Sequence, residues 1–180
     1  MRILVTNDDG IDAEGLAVLV QFLSDESYGG KGREIVVLAP EAERSGVSHA
    51  MTLRRPTKVR KLNEGYYSCS GTPADCVIVA GLGVLPWMPD LVVSGINRGP
   101  NMGTDIVYSG TCGAARQAAL AGVPAIAVSC AAPGLPLLRL LRRGQSRSAD
   151  EALAGGELHQ HQLPIGGRNP TSRPLDRSGD

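Results

Sequence analysis

The chain has 180 residues, and 18 Lys plus Arg balance 18 Asp plus Glu, so its formal net charge is zero at pH 7. This length suits one domain with a substantial core, and the balanced charge predicts no general attraction to nucleic acid duplexes or anionic membranes. We therefore expect a small-molecule partner. The apolar run at 3–5 is too short for the core of a signal peptide, so we expect a cytoplasmic location.

The cysteines predict neither a disulfide framework nor a zinc site. Cys69, Cys76, Cys112 and Cys130 are widely spaced and form no C-x-x-C pair, which favours small buried apolar side chains. The uncharged stretch 118–138 is long enough to cross a membrane, but prolines and glycines interrupt it. A helix end, a buried strand and a loop explain this stretch better.

Strand and helix patterns alternate along the first 130 residues. Apolar spacing predicts, in chain order, a strand at 3–5, a helix at 15–23, a strand at 34–40, an irregular loop at 41–55, a hairpin of 57–62 with 66–70, a helix from 73 to about 81, a strand at 89–95, a helix at 111–122 and a strand at 124–129. Thr72 is the expected cap of the helix that begins at Pro73. The pattern predicts an α/β fold, a doubly wound and mostly parallel sheet with helices on both faces.

Two adjacent acids, Asp8 and Asp9, follow the first predicted strand. Two such charges about 4 Å apart near a surface repel by roughly 4 kcal/mol, and a divalent cation would remove that repulsion. The Ser45 hydroxyl and the Asn97 amide oxygen follow other strands of the same sheet, whose carboxyl ends form the usual ligand site. This all-oxygen set suits Mg²⁺ or Mn²⁺ and metal-assisted phosphoryl hydrolysis.

Simpler structural roles are open for these residues. The run at 7–10 is an ordinary turn composition in which Asx side chains bond the local backbone. A second polar cluster at 94–115 contains Asn101 and the sequence Ser109-Gly110-Thr111 just before a helix, which is suited to an anion such as phosphate. Ser109 or Thr111 could equally be a plain helix cap.

Five ordered segments carry a resemblance to a known family: TNDDG at 6–10, APEAERSG at 39–46, GTPADCV at 71–77, VVSGINRGPNMG at 92–103 and YSGTCGAA at 108–115. They resemble the SurE survival-protein family over residues 1 to about 130. The resemblance implies a Rossmann-like phosphatase domain that hydrolyses nucleoside 5′-monophosphates, with 3′-monophosphates and short polyphosphate as further substrates. It also implies one divalent cation per subunit and a homodimer or homotetramer.

The resemblance assigns roles residue by residue. It implies metal ligands at Asp8, Asp9, Ser45 and Asn97, of which Asp8, Asp9 and Asn97 are also catalytic. Asp8 would act on the attacking or leaving oxygen. The phosphate would be held by Asn101, Ser109, Gly110 and Thr111.

Other polar and aromatic residues are predicted to lie outside the site. We expect His49 to be a surface-loop residue, and Arg44, Arg98 and Arg116 to be solvated charges. With one Trp, one Phe and four Tyr, the sequence offers no aromatic cluster to stack on a base, so recognition should depend on phosphate and loops.

Residues 131–180 form a divergent, atypical tail rich in Arg, Gly, Pro and Ser. Disorder explains this composition, and so does a shifted reading frame, because the codons for 158–164 can encode an Asn-Ile-Asn strand in another frame. An inactive, truncated or frame-shifted remnant is therefore the alternative to an active enzyme. A phosphate-binding receiver domain is a weaker alternative, since it needs a phosphorylatable Asp where this chain has residues 94–97.

Overall fold

The computed structural model describes residues 1–131 and 158–161, which contain one seven-stranded sheet. Its strands are β1 (Arg2–Thr6), β2 (Glu34–Pro40), β3 (Val59–Asn63), β4 (Tyr66–Cys69), β5 (Leu91–Arg98), β6 (Ala125–Cys130) and β7 (Leu158–His161), in the spatial order β3-β4-β2-β1-β5-β6-β7. The five inner strands are parallel, and the edge strands β3 and β7 are antiparallel to their neighbours. The predicted mostly parallel sheet is confirmed.

Helices cover both faces of the sheet. They are α1 (Glu14–Ser24), α2 (Pro73–Val79), α3 (Asp105–Tyr108) and α4 (Gly110–Leu120), with a 3₁₀ turn at Glu26–Tyr28 and a π-helical turn at Ala80–Val84. Side chains alternate between the faces of β1: Ile3 and Val5 pack with Leu16 and Leu19 of α1, whereas Leu4 packs in the cluster beneath α2 and α4. The predicted doubly wound arrangement therefore follows from the burial of both faces.

Thr72 caps the N-terminus of α2, as the sequence predicts, and Asp75 completes a capping box with it. The Thr72 hydroxyl accepts a hydrogen bond from the Asp75 amide at 3.1 Å, and the Asp75 carboxylate accepts one from the Thr72 amide at 2.8 Å. The Thr52 amide and hydroxyl donate to the same carboxylate, the hydroxyl at 2.6 Å. Burial favours the neutral acid, but the hydrogen bonds from Thr52 and Thr72 outweigh it and lower the pKa of Asp75 below its ordinary 3.8.

The strand predicted at 89–95 runs from Leu91 to Arg98 in the structure, so residues 94–97 belong to the strand itself. β5 continues through Asn97 to Arg98, with a bulge between Ser94 and Asn97 against β6. Gly95 permits this because a Cβ there would lie 2.4 Å from the carbonyl oxygen of Val128. Asn97 still lies at the carboxyl end of the strand, where the site was expected.

The other differences are small. The short helix α3 was not predicted, because four residues are too few to show a helical period. The hairpin is confirmed as β3 and β4, and 41–55 contains no helix or strand. All four cysteines are free and buried, as predicted.

The predicted tail at 131–180 lies almost entirely outside the described residues. Of that region the structure describes Ala131 and β7, which pairs antiparallel with β6. Within residues 1–131 and 158–161, no helix is long and apolar enough to cross a membrane.

Candidate active site

A cleft of about 470 Å³ lies at the carboxyl ends of β1 and β5. Six of the residues predicted for the site line it: Asp8, Asp9, Ser45, Asn97, Asn101 and Ser109. They come from the turn after β1, the loop after β2, the end of β5, the segment before α3 and the start of α4. The parallel sheet brings these segments together because the carboxyl ends of its central strands share one edge.

In the turn after β1, Asn7 has a structural role, whereas Asp8 and Asp9 do not help to form the turn. Asn7 is fully buried, and its side chain both donates to the Gly10 carbonyl at 2.9 Å and accepts from the Gly10 amide at 3.2 Å. Asn7 therefore forms the local turn that the composition predicts. The Asp8 and Asp9 side chains have partners on other elements, so turn formation does not explain them.

Asp8 is held by the first turn of α4. The Thr111 hydroxyl donates to Asp8 Oδ1 at 2.5 Å, and the Thr111 amide donates to Asp8 Oδ2 at 3.1 Å. Asp8 is 3% exposed and Thr111 is completely buried. The positive end of the α4 dipole stabilises the buried carboxylate. Thr111 thus contacts Asp8 instead of lining the cleft, and its predicted contact with phosphate stays a prediction.

The pKa of Asp9, the second acid of the pair, is raised. Burial and the neighbouring charge of Asp8 raise the pKa of Asp9 above its ordinary 3.8, and the charge of Glu43 adds to this. The Arg98 amide donates to Asp9 Oδ2 at 3.3 Å and acts in the opposite direction. Because the net effect raises the pKa of Asp9, its neutral form is favoured more in the folded protein than in the unfolded chain.

The remaining predicted metal ligands present oxygen atoms at the same cleft. Asn97 donates its Nδ2 to the Gly99 carbonyl at 2.9 Å, which orients its Oδ1 to within 3.4 Å of the Thr111 hydroxyl. Ser45 is exposed and donates to Glu43 Oε1 at 2.8 Å. Two carboxylates, one amide oxygen and one hydroxyl form a donor set that suits a hard divalent cation.

The residues predicted to bind phosphate lie at and near the N-terminus of α4. Ser109 caps this helix, with its hydroxyl accepting from the Cys112 amide at 3.1 Å, so the capping role proposed from the sequence is present. Asn101 donates to the Ser129 hydroxyl at 2.8 Å. A Cβ on Gly110 would lie 2.8 Å from Asp8 Cβ and 3.0 Å from Asp8 Oδ2, so glycine allows α4 to approach the acid.

The loop that carries Ser45 is attached to both walls of the cleft. The Arg44 amide donates to the Asp8 carbonyl at 2.6 Å on one side. On the other side, the Ser48 amide donates to the Tyr108 carbonyl at 2.8 Å and the Ser48 hydroxyl to the Val107 carbonyl at 2.6 Å. The backbone on either side of Ser45 is therefore fixed, although residues 41–55 have no regular secondary structure.

Sequence reasoning missed several cleft residues. The cleft is also lined by Glu14, Glu43, Arg98, Asp105 and Tyr108. The expectation that Arg98 lies outside the site is therefore wrong. Glu43 and Tyr108 lie in the segments APEAERSG and YSGTCGAA, so the resemblance could have pointed to them. Glu14 and Asp105 lie outside all five segments, and no sequence pattern marks them as site residues.

The other candidates considered from the sequence lie away from the cleft lining. His49 Nε2 lies 2.8 Å from Gln117 Oε1 on α4. Arg44 donates to the Ser70 carbonyl, and Arg116 to the Ile106 carbonyl. Each therefore has a structural contact that accounts for its position.

The donor chemistry limits which ion the site could hold. Within the described part of the chain, no group of three or more His, Cys, Asp or Glu side chains is arranged to bind a metal. The neutral oxygen atoms of Ser45 and Asn97 lie in the same cleft as the two carboxylates. Such a set suits Mg²⁺ or Mn²⁺, which accept neutral oxygen ligands and retain water.

Fold and site together define a doubly wound α/β domain with an acidic, oxygen-lined cleft at the carboxyl ends of its parallel strands. The sequence profile of the family described as Survival protein SurE matches residues 3–152. The chain belongs to that family, which confirms the resemblance seen in its motifs.

Individual relatives are similar over most of this chain. It is 50% identical over 135 residues to a 5′-nucleotidase SurE of Methylobacillus flagellatus, covering 75% of this chain and 52% of the relative. It is 55% identical over 133 residues to a 5′-nucleotidase SurE of Thermosipho africanus, covering 72% and 50%. The crystal structure of the SurE protein from Aquifex aeolicus matches with a TM-score of 0.70 at 36% identity, covering 87% of this chain and 61% of that one. The chain spans about half the length of the curated relatives.

Proposed function

We propose that this domain is a divalent-cation-dependent phosphomonoesterase that hydrolyses nucleoside 5′-monophosphates to nucleoside and phosphate. The observation that carries the proposal is that Asp8, Asp9, Ser45 and Asn97, from three separate segments, line one cleft. The relatives named 5′-nucleotidase SurE support the substrate class. Nucleoside 3′-monophosphates and short polyphosphate are further proposed substrates.

The charge of the cleft supports the need for a cation. Five carboxylates line it, from Asp8, Asp9, Glu14, Glu43 and Asp105, against one guanidinium, from Arg98. A phosphate ester dianion entering this cleft would meet a net negative field, and like charges in a partly buried site repel strongly. A divalent cation held by Asp8 and Asp9 would neutralise those two carboxylates, lower the repulsion and offer the phosphate a positive ligand.

We assign the cation to Asp8, Asp9, Ser45 and Asn97, with one Mg²⁺ or Mn²⁺ per subunit. When bound, the ion supplies Lewis-acid stabilisation of charge that develops on the phosphoryl oxygens. The raised pKa of Asp9 fits this assignment, because burial and the charge of Asp8 both raise it, and a cation held by the two carboxylates would offset that charge.

The residues of the chain have separate tasks in the proposed reaction. Of the predicted phosphate-binding residues, Asn101 and Ser109 line the cleft and would contact the phosphate directly. Gly110 and Thr111 would act through the first turn of α4, whose N-terminus favours an anion. The oxygen of a water molecule forms a bond to phosphorus as the bond to the ester oxygen breaks, and the proton that the water gives up passes through a carboxylate to the leaving nucleoside oxygen. We assign this proton transfer to Asp8, whose orientation Thr111 fixes through both carboxylate oxygens.

Phosphate release from 5′-AMP by the 180-residue chain tests the proposal. We expect release with Mg²⁺ or Mn²⁺, no release with excess chelator, and no release by the Asp8→Asn/Asp9→Asn variant. Asp12→Asn is the matched control, since Asp12 is an exposed acid of the same segment that does not line the cleft. Release that persists with chelator or in the double variant would overturn the assignment.

An inactive remnant of such an enzyme is the competing proposal. Phosphate release distinguishes the two, and calorimetric titration with Mn²⁺ shows whether a chain that releases no phosphate still has its metal site. A remnant with an intact cleft would bind Mn²⁺ through Asp8 and Asp9 without releasing phosphate. The homodimer or homotetramer implied by the resemblance stays a prediction, for which light scattering of the purified chain is the measurement.

A further inference from the structure

Tyr108 lies at the rim of the cleft with its ring in solvent. It is 65% exposed, whereas the adjacent Ser109 is 6% exposed at the start of α4. Within the described part of the chain, Tyr108 is the one aromatic residue that lines the cleft. An exposed aromatic ring beside a polar site offers a large apolar contact that the folded chain itself does not use.

The backbone beneath this ring is fixed. The carbonyl of Tyr108 accepts a hydrogen bond from the Ser48 amide at 2.8 Å, and the carbonyl of Val107 accepts one from the Ser48 hydroxyl at 2.6 Å. The Ser109 amide donates to the Asp105 carbonyl at 3.0 Å. Because the support is already ordered, a ligand that contacts the ring has little backbone entropy to lose.

Three other aromatic side chains make contacts elsewhere in the fold. Trp87 donates a hydrogen bond to Glu34 and packs with Tyr67 against the core beneath α2. Tyr66 packs against the core cluster on the opposite face of the sheet. These positions leave Tyr108 as the aromatic residue placed to contact a ligand in the cleft.

We propose that Tyr108 is a specificity-determining residue that stacks on the nucleobase of the bound nucleotide. The inference rests on the proposed function and deepens it by naming the group that distinguishes a nucleotide from other phosphate esters. Phosphate at Ser109 and a base on Tyr108 would occupy neighbouring positions, since consecutive Cα atoms are about 3.8 Å apart and a single sugar joins the two groups. Stacking uses the π-face that every base has, so one ring provides recognition without an aromatic cluster.

The test compares two substrates that differ in the base alone. For the unsubstituted chain, Tyr108→Ala and Tyr108→Phe, the ratio of kcat/KM for 5′-AMP to kcat/KM for ribose 5-phosphate is measured with Mn²⁺. We expect the ratio to fall about ten-fold in Tyr108→Ala, as one base–aromatic stack predicts, and to recover in Tyr108→Phe. Leu120→Ala is the control, because Leu120 is 73% exposed and does not line the cleft.

Two outcomes would overturn the inference. Both leave the ratio unchanged in Tyr108→Ala: in one, neither kcat/KM value changes, and in the other, both fall by the same factor, which indicates a purely structural role. If the unsubstituted chain hydrolyses neither ester, the proposed function fails, and saturation-transfer NMR with 5′-AMP then tests Tyr108 separately. Saturation of the adenine protons that disappears in Tyr108→Ala supports stacking, whereas unchanged or undetectable saturation contradicts it.

Discussion

The hydrogen bond from Thr111 to Asp8 connects α4 to the turn after β1, and its removal tests how the site is built. The donor is completely buried and lies 2.5 Å from Asp8 Oδ1. A hydrogen bond to a charged group contributes about 1.5–3 kcal/mol, and valine preserves the volume of threonine. We therefore expect Thr111→Val to lower the free energy of unfolding by about 2 kcal/mol. The measurement is urea unfolding at pH 7 with chelator present.

Two further variants separate the hydrogen bond from general packing. Thr111→Ser keeps the hydroxyl and removes one buried methyl group, so its cost should stay near 0.8 kcal/mol. In an Asp8→Ala background the acceptor is gone, and Thr111→Val should then cost much less. An equal loss in both backgrounds would refute the reasoning, because the hydroxyl would then stabilise the fold through a contact other than Asp8.

Three other variants test close packing and titration. Gly110→Ala places a Cβ 3.0 Å from Asp8 Oδ2 and should cost about 1–3 kcal/mol of stability and weaken Mn²⁺ binding in calorimetry. Gly81→Ala, whose Cβ meets no atom closer than 4.0 Å, should do neither. Because hydrogen bonds lower the pKa of Asp75, its ionised form stabilises the fold above pH 3.8, and the stability gap between the unsubstituted chain and Asp75→Asn should narrow as urea unfolding is repeated at lower pH. Asp9 should change stability with pH in the opposite direction to Asp75. Because its pKa is raised above 3.8 in the folded state, the folded chain binds more protons than the unfolded chain, and the metal-free free energy of unfolding should fall as the pH rises above 3.8. The stability difference between the unsubstituted chain and Asp9→Asn should therefore change with pH, and a difference that stays constant across the acid range would contradict the assignment.

Local sequence signals identify the elements because their causes are local. The capping residue Thr72, the continuous apolar run of β1 and the helical spacing in α1 depend on residues a few positions apart. The signal is weaker where the tertiary structure alters a local preference. At Gly95, the close approach of β6 lets β5 continue past the point where its apolar run stops.

The sequence alone determined that polar residues follow the strands, and therefore that Asp8, Asp9, Ser45 and Asn97 were expected at one edge of a parallel sheet. The tertiary structure decided which of them have structural partners. Asp8 and Thr111 are separated by 103 positions, so no local pattern could predict their hydrogen bond. The same holds for the acids and the tyrosine that complete the cleft, because only the packing of distant segments brings these side chains together.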